Sequence, residues 1–152
     1  MRIFLDIGAH EGQTVEAVSD MDFDRIFAFE PMPGQYAKLV ERFGDLPNVT
    51  LLPFGLSDVT GTLPVFGSNE NLEASVYPMG GTVDELIVTV CDFVSASEWF
   101  KANLTDEDTV YAKINCEGSE VDILSDLVES GEIWKLHSVT VCFDVQHVPG
   151  QE

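Results

Sequence analysis

Within the first 54 residues, apolar runs of strand length alternate with stretches of helical period, and that alternation limits the possible fold more than anything else in the chain. Ile3 to Ile7 is a short apolar run closed by Gly8, and Gln13 to Ser19 reads as helix. Arg25 to Glu30 is a second β-rich run, closed by Pro31 and Pro33. Tyr36, Leu39, Val40 and Phe43 then recur at helical spacing. Asn48 to Phe54 reads as a third strand, broken by Gly55. The order β, α, β, α, β predicts a mostly parallel sheet with helices on both faces.

The middle of the chain differs in character. Asp58 to Gly61 predicts a turn, and Thr62 to Phe66 with Leu86 to Val90 predict an inserted antiparallel ribbon. Gly67 to Thr82 joins them, a long stretch rich in Gly, Asn, Ser and Glu of the kind that is usually functional or mobile. Ser95 to Leu104 predicts a helix capped by Ser95 or Ser97. Thr109 to Ile114 predicts a strand, Ser119 to Val128 a helix and Ser138 to Val145 a final strand. The whole, residues 1–152, is expected to be one three-layer α/β domain. Phe27, Phe29, Tyr36, Phe43 and Phe54 are expected in its core, with Trp99 and Trp134 packed against the sheet.

A hydrophobic content of 45% is enough for that core, while 27 acidic side chains against 7 basic ones give a net charge of −20. Charged residues total 22%, close to the ~25% of an average protein, so the imbalance reflects scarce Lys and Arg. Residues 1–76 carry 12 acids and 4 bases and residues 77–152 carry 15 and 3, so neither half is a basic module. Nucleic acid and anionic lipid are bound by clustered cations, and their absence from both halves argues against such partners. The same composition is that of intracellular halophilic proteins. The melting temperature is therefore expected to climb with added NaCl as the repulsion is screened, and a flat response in a thermal scan would contradict it.

Met1 and Arg2 lead into an apolar run that meets Asp6, too short for a signal peptide or a membrane span. Cys91, Cys116 and Cys142 are odd in number, far apart and without a CxxC pair. They read as buried thiols in a reducing, cytoplasmic compartment.

In open α/β sheets the ligand sits beyond the carboxyl ends of the strands, and four such places carry chemistry here. Asp6, Gly8, His10, Glu11 and Gly12 form a loop whose glycines would let backbone approach a ligand. Glu30, 18 residues after Gly12, ends the second strand, where an acid can accept from both hydroxyls of a ribose. The loop is GxxxG rather than GxGxxG, and Asp6 and Glu11 flank it. That negative charge would repel a pyrophosphate and attract a cationic sulfonium, which favours S-adenosyl-L-methionine (SAM) over a nicotinamide cofactor. Ser57 and Asp58 follow the third strand, where an adenine could lie. Lys113, Asn115, Glu117 and Glu120 surround Gly118 at the end of the fourth core strand. A plain strand-to-helix turn would use Glu117 and Glu120 only as acids at a helix start.

In this order the four places resemble the FkbM family of SAM-dependent methyltransferases. Its pattern D-x-G-A-N-x-G, F-E-P, a-l-S-D and K-x-D-x-E-G-x-E is matched by Asp6, Gly8, Ala9 and Gly12; by Phe29, Glu30 and Pro31; by Leu56, Ser57 and Asp58; and by Lys113, Glu117, Gly118 and Glu120. The resemblance implies a Rossmann-like class I methyltransferase fold and O-methylation of a hydroxyl on a sugar, glycolipid or small natural product. Asp6, Gly8, Ala9, His10, Gly12, Glu30, Pro31, Ser57, Asp58 and Asn115 would hold the cofactor. His10 replaces the family's Asn and Asn115 its Asp, and Asn cannot act as a base. Five core strands plus the ribbon leave out the last two of a seven-stranded class I sheet, exposing an edge that a second copy of the chain could cover.

Removal of the acceptor's proton is assigned first to Glu117, with Lys113 pairing Glu117 or Glu120, and second to His147. Asp144, His147 and Glu117 lack a diagnostic metal spacing, and no metal is expected. A non-catalytic SAM-binding relative is the main alternative, suggested by Asn115, and a nicotinamide-linked oxidoreductase the lesser one. Ser75 and Tyr77 are expected to border the acceptor pocket.

Overall fold

Ile3, Leu5 and Ile7 alternate with Phe4 and Asp6, so the first strand presents different chemistry to the two layers it separates. The computed structural model describes residues 1–68, 74–77 and 86–143. Along the chain run β1 (Arg2–Ile7), α1 (Gln13–Val18), β2 (Arg25–Phe29), α2 (Pro33–Phe43), β3 (Val49–Leu52), β4 (Gly55–Ser57), β5 (Gly61–Ser68), β6 (Ala74–Ser75), β7 (Leu86–Ser95), α3 (Ala96–Asn103), β8 (Thr109–Ile114), α4 (Glu120–Ser130), a 3-10 turn (Glu132–Lys135) and β9 (Leu136–Val141).

The central sheet has five parallel strands in the order β3-β2-β1-β8-β9. That order is compatible with a Rossmann-like fold, and its switch point lies between β1 and β8, where the chain leaves in opposite directions. One face carries Ile3, Leu5, Ile7, Phe27, Phe29, Val110, Ala112 and Ile114 and packs on Trp99 and Phe100 of α3 and Ile123 and Leu127 of α4. The other face packs Ala28 on Val15 of α1 and on Leu39 and Phe43 of α2. Period-two alternation puts Asp6 and Lys113 on this second face, directly opposite one another in the β1–β8 register.

The expected ribbon is a larger object than two strands. β5 and β7 pair antiparallel from Gly61↔Phe93 to Ser68↔Leu86, and β4 and β6 extend them into a four-stranded sheet, β4-β7-β5-β6. β3 stops at Leu52, and Gly55 starts β4 in this second sheet instead of simply breaking a strand. Val65, Cys91 and Phe93 make its buried face, against Met32, Leu63 and Val76. Ser95 caps α3 as expected, accepting from the Glu98 N–H at 3.3 Å, and Asp126 of α4 accepts from Ser95 and Ser97 to join the two helices.

Four expectations fail. Tyr36 is only half-buried and joins no core cluster, its hydroxyl donating to the Leu51 carbonyl at 3.4 Å. Trp134 is 89% exposed, because it lies in the 3-10 turn outside the helix faces that meet the sheet. Cys142, just past the edge strand β9, is exposed instead of buried. β9 spans Leu136–Val141, two residues ahead of the expected start, and part of the expected strand falls at 144–145, outside the described residues. Among the described residues no helix is long and apolar enough to cross a membrane.

Candidate functional site

The turn after β1 is built by close approach. Gly8 has φ +83°, and a Cβ there would lie 2.1 Å from the main-chain oxygen of Asn115, so the ends of β1 and β8 can meet only at a glycine. The Gly8 and Ala9 N–H groups both donate to the Phe29 carbonyl, at 3.2 and 2.9 Å. Next, His10 adopts φ +51°, in the left-handed region. His is among the non-glycine residues enriched there, with Asn and Asp, so the residue suits its place. Gly12 does something other than expected: a Cβ on it would strike Phe43 and Leu39 of α2, so it serves the packing of α1 on α2 and does not line the site.

Glu30 follows β2 and closes this turn. Its Oε2 accepts from the His10 N–H and its Oε1 from the Met32 N–H, each at 2.8 Å. Burial raises its pKa, and the two backbone donors partly oppose the rise. A carboxylate has roughly four acceptor positions, so two backbone bonds leave capacity for ligand hydroxyls.

Beneath the turn, the Lys113 ammonium donates to Asp6 Oδ1 and to the Gly8 carbonyl, both at 3.1 Å. Lys113 thus pairs with Asp6 and not with Glu117 or Glu120, because strand alternation turns it to the α1/α2 face. Asp6 is fully buried, and its Oδ2 has no hydrogen-bond partner among the described residues. Burial outweighs Lys113 and pushes its pKa up from 3.8 to about 6. A folded-state pKa above the unfolded one means that the native state holds the proton more tightly, so stability falls as pH rises from about 4 to 6 and is level above. Urea unfolding should show the wild type's advantage over Asp6→Asn to be about 2 kcal/mol larger at pH 4.5 than at pH 7, on a scale of 1.36 kcal/mol per pKa unit. A difference that does not vary with pH would contradict the assignment.

The turn after β8 mirrors the first. Asn115 donates its N–H to the Ile7 carbonyl at 3.0 Å, Glu117 adopts φ +50° and Gly118 φ +110°. Glu120, fully buried as the first residue of α4, accepts from the Cys116 N–H at 2.6 Å and the Gly118 N–H at 2.9 Å. Its carboxylate shapes this turn and does not line the cleft. Non-glycine residues in the left-handed region thus occur in both turns at the switch point, a kind of strain that clusters at functional sites.

Between the two turns lies a cleft of about 430 Å³. Gly8, Ala9, His10, Glu30, Pro31, Lys113, Asn115 and Glu117 line it on the side of the central sheet, and Leu56, Val65, Val76 and Phe93 line it from the second sheet. Asp6 lies below Lys113. Ser57 and Asp58 do not line the cleft: Ser57 is buried with its Oγ on Asp58 Oδ1 at 3.1 Å, and Asp58 faces solvent. The third strand-end place contributes Gly55 and Leu56 instead. His147 and Asp144 lie outside the described residues, among which no group of acids, His and Cys could hold a metal.

Sequence reading missed Gln13, Thr14 and Gln35, which give the cleft a polar, uncharged rim, and Met32 and Phe93, which give it an apolar wall. Gln13 and Thr14 had a signal, as the first two helical residues after the glycine turn. Phe93 had none, since only the β4–β7 pairing brings it there. With Lys113 bound to Asp6 and Gly8, the acids Glu30 and Glu117 set the sign of the cleft, which suits a neutral or cationic ligand. No protein-family model, no curated protein and no solved structure matches this chain.

Proposed function

We propose that the cleft binds SAM and that the protein is a methyltransferase acting on a hydroxyl of a sugar, glycolipid or small natural product, within a class I methyltransferase fold. The observation that carries the reading is Glu30, buried at the end of β2 with acceptor capacity left, beside a glycine turn at the β1/β8 switch point. The cleft volume fits a ligand of this size, since such pockets hold roughly 300–1,000 Å³. An Asp6 carboxylate oxygen with no hydrogen-bond partner among the described residues, together with the acids Glu30 and Glu117, favours a sulfonium over a pyrophosphate.

When bound, SAM supplies an activated methyl, so the protein's task is chiefly to position the acceptor. In this reading Glu30 accepts from the ribose hydroxyls, and Leu56 and Phe93 offer apolar surface to the base. Lys113 holds Asp6 and the Gly8 carbonyl in place. Glu117, on the cleft wall, takes the proton of the acceptor hydroxyl. The free thiols of Cys91, Cys116 and Cys142 fit a reducing, cytoplasmic setting.

Calorimetry with S-adenosylhomocysteine tests the cofactor: saturable binding supports the reading, and no heat with the full chain sinks it. Asn115 in the cleft wall favours a second reading, a relative that binds SAM without turnover. Binding with no methyl transfer to sugars or lipids, and activity gained in Asn115→Asp, would decide for it. A thermal shift with NAD would instead favour a nicotinamide-linked oxidoreductase.

A further inference from the structure

The two-residue strand β6 is fastened across the cleft to the turn that carries Glu117. It pairs with β5 through Phe66↔Ser75 and Gly67↔Ala74. Ser75 is 1% exposed; its Oγ donates to the main-chain oxygen of Glu117 and accepts from the Tyr77 N–H at 3.1 Å. The Tyr77 hydroxyl donates to Asp122 Oδ2 at 2.6 Å, in the first turn of α4, and this bond holds the phenol's pKa up at about 12. Val76, between the two anchors, lines the cleft. Ser75 of the second sheet and Tyr77 just after it thus hold residues 117 to 122 at both ends, one bond at the carbonyl between the left-handed Glu117 and Gly118 and one at Asp122.

That pair needs external restraint. A non-glycine residue in the left-handed region costs of order 1–3 kcal/mol and persists only where its surroundings over-determine it. Glu120 holds the N–H groups of Cys116 and Gly118, and Ser75 holds the Glu117 carbonyl. We propose that Ser75 and Tyr77 are positioning residues, a clasp that closes the second sheet onto the Glu117 turn, sets where Glu117 stands in the cleft and slows escape of the bound nucleoside. The functional half of this rests on the methyltransferase reading; the clasp itself does not.

Two measurements on the full chain separate them. Without ligand, amide exchange at Cys116 and Gly118 should speed up about tenfold in Tyr77→Phe and in Ser75→Ala, with β1 amides unchanged, as expected for losing one hydrogen bond to a charged or buried acceptor. Release of S-adenosylhomocysteine, followed by stopped flow, should also be about tenfold faster in both. Asp122→Asn still accepts from the phenol and should release at the wild-type rate. Asp122→Ala should match Tyr77→Phe, and the double variant should be no faster than either. Unchanged exchange at Cys116 and Gly118 in both variants would overturn the clasp. Faster exchange with unchanged release would overturn its part in ligand retention, and a wild type that does not bind S-adenosylhomocysteine would overturn that part together with the cofactor reading, leaving exchange to decide the clasp.

Discussion

Gly8→Ala should lower the unfolding free energy by about 4 kcal/mol, or leave no folded protein, while Gly34→Ala should be neutral or slightly stabilising. Two costs combine at Gly8. Its φ of +83° is unfavourable for an L-residue by about 1–2 kcal/mol. Its Cβ would also sit 2.1 Å from the Asn115 oxygen, which is backbone and cannot rotate away. Relief requires parting the ends of β1 and β8, which strains the Asn115-to-Ile7 hydrogen bond and the Lys113 bond to the Gly8 carbonyl. Losses of that kind put a substitution in the range above roughly 4 kcal/mol that only a few mechanisms reach. Gly34 is the control: it lies in the first turn of α2, a Cβ there meets nothing within 4 Å, and alanine is the better helix former. Urea titration of both variants by circular dichroism checks the pair. Equal effects would mean that the β1/β8 contact is not what Gly8 is for.

Glu30→Ala should weaken S-adenosylhomocysteine binding at least about a hundredfold, the loss expected for two hydrogen bonds from ligand hydroxyls to a carboxylate at about 1.5–3 kcal/mol each. The carboxylate also bonds the His10 and Met32 N–H groups, so alanine should destabilise the apoprotein as well. Glu30→Gln separates the two roles. Its amide oxygen still accepts but its NH₂ group donates, so it can satisfy one backbone N–H and only part of a ribose diol. Calorimetry at a temperature where all three proteins are folded should rank wild type above Gln above Ala. An alanine variant that binds as tightly as wild type would remove Glu30 from the site.

Much of the site could be read ahead of the structure, and the parts that could not share a physical cause. Strand ends are marked locally, by Gly8, by Pro31 and by Gly118, so the turns that line the cleft were visible in sequence, and the residues carrying Ala9, His10, Glu30, Asn115 and Glu117 with them. Side-chain partners are not local. Asp6 and Lys113 are 107 residues apart and meet because β1 and β8 pair in one register and both residues fall on the α1/α2 face. Sequence spacing suggested instead that Lys113 pairs with Glu117 or Glu120, its near neighbours. Glu120 stands with Lys113, Asn115 and Glu117 around Gly118 in sequence, yet it is fully buried, accepts from the Cys116 and Gly118 N–H groups and lies outside the cleft lining, a burial that no local spacing marks. Gly12 looked like part of a ligand loop, and only the approach of Phe43 shows that its missing side chain serves helix packing. Ser57 and Asp58 were displaced for a topological reason: Gly55–Ser57 is a strand of the second sheet, which turns these two residues away and offers Leu56 to the cleft.

The acid excess divides along the same line. Glu30 and Glu117 stand in the cleft wall, and Asp6 is buried beneath it on Lys113. Glu120 is internal structure, and Asp58 is exposed and outside the cleft lining.

In the proposed function a nucleoside sits against Glu30 with its sulfur turned toward Glu117. A crystal structure of the full chain with S-adenosylhomocysteine tests it most directly. Density for the ribose is expected within hydrogen-bond distance of the Glu30 carboxylate, with the thioether in the cleft between the 8–12 and 115–119 turns. Density elsewhere on the molecule, or none at saturating ligand, would contradict it.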